Sequence, residues 1–310
     1  MDVTRLLMIP ILIVVSYIIS YRRSLQRVVN AINYYLFYIA IPLTVFIKVG
    51  TMGSETNFLN ALIVSQLHII VMFIISYAVA RTMYKDNVDR VSLTMSIAMP
   101  NAGFLAIPLA VAMFGTAFHV IPYMVAFNIT LPLLTLVLAK LYATRRGNAT
   151  KIYVKALPAL SALLCATVFK QLELGFCLQG ILQTVDAVLS ASFYLSFVIV
   201  GYMLTQLRLC DIKKSAHAIA VSMLVKYLSS PIIILVLAHT LLRYMSTDFA
   251  YMQGALLQSL MPPAVTNIVL AKVFQLNENL VSLFILLLTP LSIVIALATL
   301  QYLVLLLPQG

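Results

Sequence analysis

The chain has no tryptophan, three cysteines, four histidines and nine acidic residues among its 310 positions. Each shortage removes a class of chemistry. Cys165, Cys177 and Cys210 have no metal-ligand spacing and suggest no disulfide framework, so they read as small apolar residues. No acidic residue falls in the middle of a hydrophobic run: Asp186 lies near the start of one, and Asp211, Asp248 and Glu278 fall in loops or caps. That weighs against cation/proton antiport through a buried carboxylate. It also weakens a conventional sodium site, because hard cations want carboxylate as well as carbonyl oxygens. Carbonyls and asparagines alone would hold sodium only weakly. There is no His-Glu metal motif, nucleophile elbow, glycine-rich phosphate loop or carboxylate pair, so the sequence predicts no enzyme, no metal site and no cofactor.

What is there is apolar: 63% of residues are hydrophobic, 9% are charged, and the mean hydropathy is +1.04. A soluble domain must show water a more polar face than this composition allows. The sequence therefore predicts an all-α integral membrane protein. Ten runs are each long enough to cross a hydrocarbon core of about 30 Å. They cover Thr4–Tyr21, Asn30–Val49, Phe58–Met83, Val91–Phe114, Phe118–Tyr142, Ile152–Gln171, Ile181–Leu207, Ser215–Leu242, Phe249–Phe274 and Leu280–Leu307. The first is not read as a cleaved leader, because its basic flank, Arg22-Arg23, follows the apolar stretch.

The net charge of +11 is a matter of orientation. Alternate loops hold Arg22, Arg23, Arg27, Arg81, Lys85, Arg90, Lys140, Arg145, Arg146, Lys151, Lys155, Arg208, Lys213, Lys214 and Lys272. The loops between them hold only Arg5, Lys48, Lys170 and Arg243. By the positive-inside rule the rich side is cytoplasmic, which places both termini outside the cytoplasm of a multi-pass protein of the cell membrane. Basic loops facing anionic headgroups account for the charge, and no interleaved aromatic and basic pattern suits nucleic acid. Tyr17, Tyr21, Tyr142, Tyr153, Tyr244 and Tyr302, near the ends of runs, supply the interfacial aromatic belt.

Two of the runs are broken by proline. The first reads Ser96-Ile97-Ala98-Met99-Pro100-Asn101-Ala102-Gly103, and the second Ser259-Leu260-Met261-Pro262-Pro263-Ala264-Val265-Thr266-Asn267. Proline inside a helix removes a backbone hydrogen bond and clashes with the preceding turn. In a bilayer such a break survives only where protein or a wet cavity covers it. The loop at Arg145–Lys151 divides the chain into a repeat of five runs over 1–145 and another over 150–310. An odd number per repeat inverts the second relative to the first, and each break falls on the fourth run of its repeat. Paired breaks at matching places in inverted repeats point to a secondary transporter's binding site. The expected fold thus has ten helices in two inverted repeats, with broken helices four and nine crossing near the midplane. Half-helix N-termini attract anions and C-termini attract cations. Asn101 and Asn267, and Thr266 beside the second break, offer side-chain donors and acceptors there. The alternative is two packing kinks that happen to match.

These segments resemble the auxin efflux carrier family of membrane transporters. The likeness lies in Asn101-Ala102-Gly103-Phe104-Leu105-Ala106-Ile107-Pro108 followed by Met113-Phe114-Gly115. It extends to Met261-Pro262 with Ala264, Ala271-Lys272-Val273-Phe274, Ser282 and Thr289, and to Tyr38-Ile39-Ala40-Ile41-Pro42. The resemblance implies a fold like that of bile-acid sodium symporters. Runs one, two, six and seven would form a scaffold domain, runs three to five and eight to ten a mobile transport domain, and the scaffold a homodimer contact. It also implies organic anions as substrates. This chain has Ala102 where a hydroxyl residue is common in the family, and Ala106 where glycine is common.

Three further residues are candidates for coupling. Lys226 lies near the middle of Ser215–Leu242, about 18 Å from either face at 1.5 Å per residue, beyond the reach of a snorkelling stem. A mid-membrane lysine costs at least about 2.5–3.5 kcal/mol on insertion scales and is by default a functional residue. It would act as a fixed cation balancing the anion, in place of a coupling sodium ion, or as a proton carrier; the alternative is a structural lysine donating to carbonyls at Pro262-Pro263. Gln66 and His68 sit on the third run, which helps line an ion site in sodium-coupled relatives of the fold; a lone histidine there also serves simply as a packed, satisfied residue. Asn128 and Thr130, beside Pro132, are candidates for the site wall or for bonds to their own backbone. The function predicted is a secondary transporter of small organic anions of the carboxylate type, working by alternating access, with proton or sodium coupling left open. The alternatives are a sodium-dependent symporter of bile-acid type and a non-transporting membrane scaffold or sensor.

Overall fold

A computed structural model describes residues 3–22, 25–51, 55–142, 150–172, 178–205, 215–241 and 247–308. Arg23, Arg145, Arg146, Cys177, Arg208, Cys210, Asp211, Lys213, Lys214, Arg243 and Tyr244 lie outside the described residues. So do the side chains of Arg5, Arg22, Pro132, Lys140, Tyr142, Lys151, Tyr153, Lys155 and Lys272. Among the described residues all the named secondary structure is helical.

The helices are α1 (Val3–Arg22), α2 (Gln26–Gly50), α3 (Glu55–Met83), α4 (Asn87–Ala98), α5 (Ala106–Phe114), α6 (Ile121–Tyr142) and α7 (Thr150–Gln171). They continue as α8 (Gln179–Leu204), α9 (Ala216–Leu241), α10 (Phe249–Ser259), α11 (Thr266–Val273) and α12 (Glu278–Val304). By length and composition α2, α8, α9, α12 and the Thr56–Met83 part of α3 are long and apolar enough to cross a membrane. The runs expected at 91–114 and 249–274 are each two short helices around an irregular stretch, as the prolines require. Two features were not expected: π-helical segments at Leu36–Ala40 in α2 and Val225–Ser229 in α9. A π segment adds a residue to one turn, re-aims the side chains around it, and is frequent at functional sites.

Helix ends follow local chemistry. The Asp86 carboxylate accepts from the Val88 and Asp89 amides at 3.0 and 3.2 Å to start α4. Asp248 accepts from Ala250 N to start α10, and Asn277 Oδ1 from Leu280 N to start α12. Gly115 ends α5 at φ 79°, the left-handed region where glycine carries no Cβ penalty.

Packing sorts the helices into two sets of close neighbours. In the first, α1 lies along α8 and α2 along α7. Ser16 Oγ donates to the Val198 carbonyl at 2.6 Å, and Lys48 pairs with Asp186 at 2.7 Å. In the second, α3 packs on α4 and α6, α9 on α3 and α10, and α12 on α4. Here Gly254 of α10 meets the turn before α6 so closely that a Cβ would lie 1.7 Å from the His119 carbonyl oxygen. The sets join where α6 meets α7 and α8 meets α12.

Candidate functional site

The two breaks meet. Asn101 N donates to the Pro262 carbonyl at 2.7 Å, and Ala264 N donates to the Met99 carbonyl at 2.9 Å. Pro100 and Pro263 thus face each other as an isolated antiparallel pair. They occupy the non-hydrogen-bonded position of a two-stranded ladder, where the bonds are made by the flanking residues. A residue there has no use for its N–H, which explains why proline fits at both places. Half-helix ends with stranded carbonyls were expected. Instead, the Met99 and Pro262 carbonyls are each consumed by the other break.

Side chains add to the join, and they come from the second break. Asn267, fully buried, donates its Nδ2 to the Met95 and Met99 carbonyls at 3.2 and 3.3 Å, holding the last turn of α4. Gln258, equally buried, donates its Nε2 to the Ala102 carbonyl at 3.0 Å and reaches the Val120 carbonyl at 3.4 Å. Sequence reasoning missed Gln258. Its signal was a Gln-Ser pair in an apolar run directly ahead of the prolines.

A pocket of about 60 Å³ opens beside the paired breaks. Pro100, Asn101, Gly103, Asn128 and Thr266 line it, so five of the residues expected at the site share one wall. Among the described residues the Asn101 side chain makes no hydrogen bond, although Asn101 is only 5% exposed. Asn128 Nδ2 donates to the Met124 carbonyl at 2.8 Å and Thr130 Oγ1 to the Ala126 carbonyl at 2.7 Å, so both bond within their own helix. Gly103 sits close to α2: a Cβ would lie 2.8 Å from Ile41 Cδ1, the tip of a flexible side chain. No side chain caps the start of α5, which follows Gly103 within a turn. Pro262, Pro263 and Asn267 are not among the lining residues.

The coupling candidates lie elsewhere. His68 of α3 is held on both ring nitrogens, Nδ1 to Tyr123 Oη at 2.8 Å and Nε2 to Ser230 Oγ at 3.0 Å. Lys226 lies in the π segment of α9, 1% exposed, one turn before Ser230, whose hydroxyl bonds His68. Among the described residues its side chain makes no hydrogen bond or ion pair, so the alternative of a structural lysine donating to carbonyls at Pro262-Pro263 does not match the structure. Gln66 is half-buried with its Oε1 unpartnered, and joins neither the pocket wall nor the His68 cluster.

There are two larger cavities, of which the first adjoins the inner pocket and the second shares none of its lining residues. One of about 330 Å³ lies towards the start of α2, lined by Asn30, Asn33, Tyr34 and Tyr38 and sharing Phe37, Phe104 and Thr266 with the inner pocket. The other, about 480 Å³, lies between α1, the end of α5 and α8, where it meets Gly115 and Asp186.

Comparison with known proteins adds one match. Residues 3–157, half of the chain, match the family described as membrane transport protein. The match takes in the first break and ends inside α7. No curated protein matches the sequence.

Proposed function

The chain belongs to the membrane transport protein family, that of the auxin efflux carriers, and we propose that it carries small organic anions of the carboxylate type as a secondary transporter. One observation carries the reading: a pocket at the hydrogen-bonded breaks, into which a buried asparagine presents an uncommitted side chain. Burying an amide without a partner costs about 1–3 kcal/mol, so such a group is retained where something else meets it. A carboxylate would accept from Asn101 Nδ2 and from the Gly103 and Phe104 N–H groups, which belong to the pocket wall just ahead of α5, whose dipole favours negative charge. The Met99, Ala102 and Pro262 carbonyls are each occupied by a donor from the opposite break.

In this reading the chain crosses the cell membrane ten times in two inverted repeats, with the broken pairs α4–α5 and α10–α11 as spans four and nine and both termini outside the cytoplasm. α1, α2, α7 and α8 form the scaffold and the remaining helices the moving domain, in keeping with the two sets of close neighbours. The cavities near the start of α2 and the end of α5 are the two access routes, opened in turn as the domain shifts. Lys226 supplies a fixed positive charge in the moving domain, one turn before Ser230, the hydroxyl partner of His68. The scaffold faces of two copies meet in a homodimer.

The test is flux of labelled carboxylates into proteoliposomes, with proton and sodium gradients varied separately. The proposal expects uptake of at least one carboxylate that Asn101→Ala abolishes. Absence of uptake across the panel under every gradient would remove it.

A further inference from the structure

The inner pocket and the outer cavity near α2 share two phenylalanines, one from each side. Phe37 projects from the π segment of α2, and Phe104 from the irregular stretch between α4 and α5. Their rings stack with centroids 6.1 Å apart and planes 17° apart. Phe104 is 9% exposed and Phe37 half-buried. Further aromatics continue the wall outward: Phe37 meets Tyr38 edge-on at 5.1 Å, and Tyr38 meets Tyr34 at 4.7 Å. The stack therefore stands between about 60 Å³ inside and about 330 Å³ outside.

The volumes matter for the solute. One water needs about 10–15 Å³ by this kind of measure, so the inner pocket has room for a carboxylate carrying a few further heavy atoms, and not for one carrying an aromatic ring. α2 packs along α7, whereas the break carrying Phe104 is bonded to the other break. The rings thus belong to elements held by different neighbours, and a shift of one set of helices against the other would part them. The π turn aims Phe37 at this point; in a regular helix its side chain would sit on a different bearing.

We propose that the Phe37–Phe104 stack is the size-selecting gate of the pocket: closed, it admits only small carboxylates, and removal of the Phe37 ring opens the pocket to larger ones. This rests on the carboxylate reading above, and the experiment has two arms so that the two ideas fail separately. The first uses no solute. Cys165, Cys177 and Cys210 are replaced by alanine, Asn128→Cys places a thiol in the inner pocket, and its reaction with a bulky maleimide is timed in the purified protein. Phe37→Ala should accelerate the reaction at least tenfold at an unchanged melting temperature, and Phe37→Trp should not. Phe37→Leu, which keeps apolar bulk without the ring, replaces Phe37→Ala if that variant does not fold. The second arm measures proteoliposome uptake of pyruvate and phenylpyruvate, which differ only by the ring. With Asn128 intact, the native gate should favour pyruvate at least tenfold, and Phe37→Ala should narrow that to about twofold or less. Equal thiol reactivity with and without the Phe37 ring overturns the gate. Faster reactivity with neither acid transported supports the gate and counts against the carboxylate reading. Transport with an unaltered preference in Phe37→Ala overturns size selection by this ring.

Discussion

The two breaks carry similar punctuation, a proline step and a nearby asparagine, and they use it differently. At the first, Asn101 spends its backbone N–H on the Pro262 carbonyl and leaves its side chain uncommitted at the pocket. At the second, Asn267 spends its side chain on the Met95 and Met99 carbonyls, and Gln258, one turn upstream, grips the Ala102 carbonyl. The second break clamps and the first presents. A polar binding site needs both: exposed groups to meet the solute, and a frame whose donors are committed elsewhere, as the Asn267 and Gln258 amide N–H groups are, so that they do not collapse onto it.

The largest effect on this contrast is expected from Asn267→Leu. It removes both braces on α4 and should cost about 1–3 kcal/mol of stability, with flux lost along with the fold of the crossing. A melting temperature equal to wild type would mean that the clamp lies elsewhere. Next is Lys226→Met, which should move stability the other way. Losing an unpaired ammonium should return about 1–2 of the roughly 2.5–3.5 kcal/mol that a mid-membrane lysine costs, while gradient-driven uptake falls at least tenfold. A destabilised variant with normal flux would make Lys226 a structural residue. Gln258→Leu is smaller, about 1 kcal/mol, because one bond to Ala102 and a long one to Val120 are lost. Its mark should be a raised half-saturation concentration at unchanged maximal flux, as the Asn101–Gly103 segment drifts; a change in maximal flux alone would argue against a positioning role.

Much of the frame was legible in the sequence. Pro100 and Pro262-Pro263 marked the interruptions, and the apolar runs matched the helices to within a few residues. Three things were not. The division of labour between Asn101 and Asn267 depends on which carbonyl each side chain meets across the crossing, and spacing along the chain does not encode that. Gln258 looked like any polar residue until burial showed that it had to bond to something. The π segments at Leu36–Ala40 and Val225–Ser229 each end two residues before a proline, Pro42 and Pro231, whose ring clashes with the carbonyl four residues back; the clash marks a disturbed turn without specifying a π turn rather than a kink or a break. Lys226 stood out by sequence for its depth in an apolar run, and the structure sets it one turn before Ser230, the hydroxyl partner of His68.

The smallest structural change should have the clearest functional one. Asn101→Ala removes no hydrogen bond of the described structure and relieves a buried amide without a partner, so the melting temperature should hold or rise. Calorimetric titration of the purified protein with a transported carboxylate should then show binding in the wild type and none in Asn101→Ala. Binding of equal strength in both would contradict the claim that the first break presents the solute-binding group.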